Sequence, residues 1–129
     1  MKKNIIIIAL IFIVPIIAYA ILSENQTVSA AKTVEGQPQV IKFSSKLCID
    51  CKKIKTCFDE LKPKYQDKIT FIEYDVQSND KDVSNSIDKY NITLVPTVIY
   101  LDKKGKEVKR TEGYTDKNTL EQYFNELLK

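Results

Sequence analysis

The chain has no histidine and only three cysteines among its 129 residues. A structural zinc site takes four Cys or His ligands, so that metal has no ligand set here. A surplus of one charge is missing as well. The formal charge of +3 includes Lys2 and Lys3, and 18 basic side chains face 17 acidic ones in the remainder. Nucleic-acid binding concentrates basic charge on one face; here the lysines are interleaved with acids, which reads as a solvated surface, and no nucleic-acid partner is expected. The length leaves no room for two domains, and there is no internal repeat or low-complexity segment. One globular domain with a short appendage fits both length and composition.

What the chain does have is Cys48-Ile49-Asp50-Cys51, directly after an apolar run. Two cysteines at this spacing can toggle between dithiol and disulfide. A ring closed over so few residues removes little unfolded-state entropy, about 2 kcal/mol before strain, so it is a poor structural staple and a better working disulfide. The third cysteine, Cys57, lies beside the apolar stripe of the segment that follows and is expected to be a buried small hydrophobe.

Lys2 and Lys3 precede an uncharged, almost wholly aliphatic run from Ile5 to Leu22. Its 18 residues lie between a long signal-peptide core and a membrane-spanning helix, for which about 20 apolar residues are needed. Ala18-Tyr19-Ala20 and Val28-Ser29-Ala30 resemble cleavage sites, whereas the isoleucine content favours a retained anchor over residues 1–22. In either case the lysines before the run, with none after it until Lys32, place the following domain outside the cytoplasm: single-pass in the cell membrane if the run is kept, exported if it is cleaved. Residues 23–38 are polar, carry Gly36 and Pro38, and read as a linker. Asn25-Gln26-Thr27 and Asn91-Ile92-Thr93 match a glycosylation triplet, a frequent chance pattern.

Residues 39–129 form the domain. Val40 to Phe43 reads as a buried strand, and Ile54, Phe58, Leu61 and Tyr65 recur at helical spacing, with Pro63 ending or kinking that helix. Ile69 to Val76 is a second strand, and Val83, Ile87 and Tyr90 share a helical face. Thr97 to Leu101, a turn at Asp102-Lys103-Lys104-Gly105 and Glu107 to Thr111 make a hairpin. Asn118 and Glu121 suggest a capping box for a last helix whose stripe is Leu120, Tyr123, Phe124, Leu127 and Leu128.

A CxxC at a strand-to-helix junction, followed by Val95-Pro96-Thr97, the Asp102-to-Gly105 turn and Gly113, resembles the thioredoxin family over about Gln39 to Lys129. The resemblance implies an α/β thioredoxin-like fold: a central mixed sheet flanked by helices, preceded here by the export or anchor helix. It implies that Pro96 is a cis-proline facing the disulfide, and that Val95, Pro96, Ile49 and Asp50 bind substrate. It implies thiol-disulfide exchange, in which Cys48 attacks a protein disulfide and Cys51 resolves the mixed disulfide. The redox-active disulfide is the sole prosthetic element, with no cofactor and no metal, and a monomer is expected. Outside the cytoplasm, electrons would come from a membrane thiol donor of the CcdA or DsbD kind.

Three departures from the family pattern bear on this. Leu47 stands where the family usually has Trp, and Ile49-Asp50 where it has Gly-Pro. Helix dipole and nearby Lys46, Lys52 and Lys53 favour a Cys48 thiolate, whereas Asp50 opposes it; the expected couple is reducing or near neutral. Lys42 occupies the position, six residues before the first cysteine, where the family buries an aspartate, and Glu73 aligns with that aspartate's lysine partner. The pair is expected to be swapped, with Glu73 the base for Cys51 and Lys42 holding it ionised. The other readings of the same residues are a redox-silent binding or accessory module on this scaffold, such as a metal chaperone or assembly factor, and an extracytoplasmic oxidase or isomerase.

Overall fold

A computed structural model describes residues 36–129, together with Ile13 and Val14. Ile13 and Val14 are helical; the remainder of the apolar run, and with it the anchor or signal segment of residues 1–22, lies outside the described residues, as does most of the linker. Among the described residues no helix is long and apolar enough to cross a membrane.

The elements follow the chain as β1 (Gln39–Ser44), α1 (Ile49–Tyr65), β2 (Thr70–Asp75), α2 (Lys81–Tyr90), β3 (Thr97–Leu101), β4 (Glu107–Glu112) and α3 (Lys117–Leu127). The four strands form one mixed sheet in the order β2-β1-β3-β4, with β1 parallel to β2 and the other two pairings antiparallel. A parallel pair needs a crossover, which α1 supplies; an antiparallel pair needs only the turn at Asp102 to Gly105, whose Asp102 carboxylate accepts from the Lys104 and Lys106 amides. The central strands β1 and β3 are covered on both faces, which is why they read as largely apolar runs, with Lys42 the one buried charge among them.

Alternation along β1 sorts its side chains. Val40 joins the cluster with Ile54, Phe58, Leu61, Val98, Leu120 and Phe124, while Phe43 points the other way and meets Tyr90 of α2 at 6.1 Å between ring centroids. Phe58, Phe71 and Phe124 close the first face with edge-on ring contacts, and α1 and α3 pack together over it. Lys42, two residues on from Val40, is carried by the same alternation into that covered face.

Three local expectations are corrected. Helix α1 runs through Pro63 to Tyr65, because a proline in the last turn removes only one late hydrogen bond. Helix α3 begins two residues early: Asp116, not Asn118, is the N-cap and accepts from the Asn118 and Thr119 amides, with the Thr119 hydroxyl donating to its second oxygen at 2.7 Å. Glu121 is drawn instead to Lys64 and the Tyr65 hydroxyl. Cys57 is half-buried rather than buried, since it sits on the flank of the α1 stripe and packs only against the edge of the core.

Candidate functional site

Strand β1 delivers the chain through a short turn to Cys48, which is the N-cap of α1, and Cys51 lies in the first turn of that helix. The two form a disulfide with 5.2 Å between their Cα atoms. As N-cap, the Cys48 sulfur accepts from the Cys51 amide at 3.1 Å. On reduction that amide and the helix dipole remain aimed at Cys48, the arrangement that favours a thiolate. Exposure separates the pair: Cys48 is partly open to solvent, whereas Cys51 is 3% exposed.

The loop before β3 closes over the sulfurs. The Val95–Pro96 bond is cis, and the Val95 carbonyl oxygen lies 3.7 Å from the Cys48 sulfur. Two bonds hold this loop: the Thr97 hydroxyl donates to the Leu94 carbonyl at 2.7 Å, and the Gly113 amide to the Pro96 carbonyl at 2.7 Å. Gly113 makes its contact at φ +87°, in the left-handed region that glycine adopts without a Cβ penalty. Of the sequence-predicted substrate-binding residues, Val95 and Pro96 thus sit against Cys48, and Ile49, 71% exposed, stands beside it. Asp50 is also exposed, on the first turn of α1, with Lys53 at 3.3 Å. Leu47 and Leu94 add apolar surface at the same rim.

Behind the disulfide, Lys42 and Glu73 are register partners on β1 and β2. The Lys42 ammonium is 2.9 Å from Glu73 Oε2, and its side chain is 1% exposed against 34% for Glu73. Its Nζ also lies 4.8 Å from the centre of the Phe58 ring, within cation–π range. Lys62, from the far end of α1, reaches the other carboxylate oxygen at 3.3 Å. Burial alone would raise the Glu73 pKa, but hydrogen bonds and charge from Lys42 and then Lys62 outweigh it and hold the carboxyl below its usual range. Lys42, Glu73 and Cys51 line one cleft of about 380 Å³. Lys42 and Glu73 thus share a cleft with Cys51, the Val95 carbonyl lies against Cys48, and Ile49 and Asp50 are exposed on the first turn of α1. Lys62 and Leu94 were not singled out; the helical spacing of Lys62 from Phe58 was the only signal for the first.

Among the described residues no group of three or more Cys, Asp or Glu side chains is placed to hold a metal ion. A chain that places one half-open and one buried sulfur at a helix N-terminus, under a cis-proline loop, can exchange a disulfide with a partner docked on the open side.

A family model described as a thioredoxin-like domain matches residues 25–128. Among curated proteins the chain is similar to "Thioredoxin O1, mitochondrial" of Arabidopsis thaliana, 35% identical over 107 residues, covering 79% of this chain and 53% of that protein. It is also similar to "Thiol-disulfide oxidoreductase ResA" of Bacillus thuringiensis subsp. konkukian (strain 97-27), 28% identical over 115 residues, covering 74% of this chain and 66% of that one. The chain spans about half to two thirds of the length of these relatives. Among solved structures, thioredoxin O2 from Arabidopsis thaliana in its oxidized state superposes with a TM-score of 0.62 at 30% identity, covering 73% of this chain and 77% of that one.

Proposed function

This chain belongs to the thioredoxin family, and from that premise we propose that it is an extracytoplasmic thiol-disulfide oxidoreductase that reduces protein disulfides. The observation that carries the chemistry is the unequal exposure of the Cys48–Cys51 pair at the α1 N-terminus. The Cys48 thiolate attacks one sulfur of the substrate disulfide, forming a mixed disulfide and expelling the other substrate sulfur as a thiolate. The Cys51 thiolate then attacks the Cys48 sulfur, restoring the intramolecular disulfide and releasing the second substrate sulfur. Two electrons pass to the substrate, and both released thiolates take protons from water. The oxidised pair must be re-reduced, and a membrane thiol donor of the CcdA or DsbD kind is the partner this reading calls for.

Leu47, Ile49 and the Val95-Pro96 loop support docking of an extended segment across Cys48, with Asp50 at the rim. Reduction is favoured over oxidation because an oxidising couple rests on a strongly stabilised Cys48 thiolate, and Asp50, an acid in the first turn of α1, opposes one. The extracytoplasmic location rests on Lys2, Lys3 and the apolar run after them. The test is reduction of insulin disulfides by the full chain with dithiothreitol as electron source. Wild type should accelerate it and Cys48→Ser should not; equal, uncatalysed rates for both would leave only the redox-silent module.

A further inference from the structure

The cleft behind Cys51 carries more positive than negative charge. Strand β1 contributes Lys42, the turn after it Lys46, and α1 Lys52 and Lys55; β2 contributes Glu73 and Asp75. Asp75 is 3.7 Å from Lys46, and Lys55 is held by Asp59 at 2.6 Å. Glu73 is divided between Lys42 and Lys62, one ammonium on each carboxylate oxygen. Among the described residues Lys52 has no carboxylate partner. The loop before β3 brings the uncharged Val95 carbonyl to Cys48, and Asp50 is exposed and engaged by Lys53.

A general base works best when its pKa lies near the operating pH. Glu73 has both oxygens occupied by ammonium groups and is held below the usual carboxylate range, so it is a poor acceptor for a thiol proton. The buried cation of Lys42, by contrast, stands in the same cleft as Cys51, where its field is weakly screened.

We propose that Lys42 is a positioning residue for Cys51: its buried ammonium, incompletely neutralised because Glu73 is shared with Lys62, stabilises the Cys51 thiolate across the cleft. Cys51 then resolves the mixed disulfide by ionising in a positive field, its proton leaving to water, and no carboxylate has to take it. This rests on the exchange reaction proposed above and assigns what sets the rate of its second step.

The test uses the full chain in two readouts. In a Cys48→Ser background, the pH midpoint of Cys51 alkylation by iodoacetamide is read by mass spectrometry of the Cys51 peptide. Removing an opposite charge that shares the cleft disfavours the ionised form, so Lys42→Met should raise this midpoint by about 1 unit. Lys62→Met changes a side chain that is 40% exposed, so it keeps the fold even if Lys42→Met does not; it returns Glu73 wholly to Lys42 and should raise the midpoint by a smaller step. With both cysteines present, reduced protein is mixed with the aryl disulfide 5,5′-dithiobis(2-nitrobenzoate). Cys48 releases the first thionitrobenzoate and Cys51 the second, and Glu73→Gln should leave the second step within two- to threefold of wild type. An unchanged midpoint in Lys62→Met, or a tenfold slower second release in Glu73→Gln, overturns the proposal. Neither readout needs a protein substrate, so failure here is distinct from failure of insulin reduction.

Discussion

Removing Lys42 should cost far more stability than a surface lysine would. Its side chain is 1% exposed, so Lys42→Ala strips three buried methylenes at about 0.8 kcal/mol each, roughly 2 to 2.5 kcal/mol. It also deprives Glu73 of its closer partner. A sealed pair broken on one side costs about 3 to 5 kcal/mol, but Glu73 is about a third exposed and keeps Lys62, so its share falls to about 1 kcal/mol. The total is about 3 kcal/mol. For a domain of this size 1 kcal/mol moves the melting temperature by about 4 to 8 °C, so the oxidised Lys42→Ala chain should melt about 12 to 24 °C below wild type. Lys42→Met keeps most of the stem and should lose only about 1 kcal/mol, which separates packing from charge. Circular dichroism melts of the three chains make the comparison. A Lys42→Ala chain within about 0.5 kcal/mol of wild type would refute the reasoning, because only a solvated lysine behaves so.

Cys51→Ser should accumulate mixed disulfides with client proteins through Cys48, whereas Cys48→Ser should trap few, as peptide mapping after non-reducing electrophoresis will show; capture through Cys57 would contradict the assignment. The depressed Glu73 pKa means that this group stabilises the fold fully above about pH 4.5, the ordinary glutamate value, and loses that contribution as pH falls through its lower folded value. The stability difference between wild type and Glu73→Gln in urea titrations should therefore be constant from neutral pH to about 4.5 and shrink below it; a gap that grows on acidification would reverse the sign. Reduction of the disulfide should destabilise the domain by about 2 kcal/mol or less, because the loop it closes is short; a loss of 4 kcal/mol or more on adding dithiothreitol would make it a staple. Membrane fractions should contain the intact chain with its carboxy-terminal domain open to external protease, and recovery as a soluble cytoplasmic protein would refute that topology.

Most of the fold was legible because its signals are local or periodic. Val40 to Phe43 and Thr97 to Leu101 are central strands and therefore wholly apolar in sequence apart from Lys42 and Thr97, while Ile54, Phe58, Leu61 and Tyr65 mark the buried face of α1. The start of α3 was misplaced because Asp116 and Asn118 can both cap, and the glutamate three residues after Asn118 tipped the choice. In the structure the Thr119 amide and hydroxyl both donate to the Asp116 carboxylate, so the local pattern held two solutions, and Glu121 pairs with Lys64 instead of capping. Cys57 shows the limit of periodicity, which assigns a face but not how far its edge is covered. The place of Leu94 at the rim and the tie from Gly113 to Pro96 come from segments outside helices and strands, where the sequence carries no period to read.

The surroundings of the two sulfurs now have opposite character, and that has a mechanistic consequence. Cys48 is partly open to solvent and accepts from the Cys51 amide at the α1 N-terminus, where the helix dipole favours its thiolate, while Asp50 of the same turn is paired with Lys53. Cys51 looks inward to a cleft with surplus ammonium groups. Attacking power depends on the thiolate fraction, so under the role proposed for Lys42 the inner cysteine makes escape from the mixed disulfide fast relative to its formation. A reductase benefits from that order, since a client held at Cys48 is returned before it can be exchanged for another. An oxidase would need the reverse, a strongly stabilised Cys48 thiolate, and Asp50 beside that residue works against it.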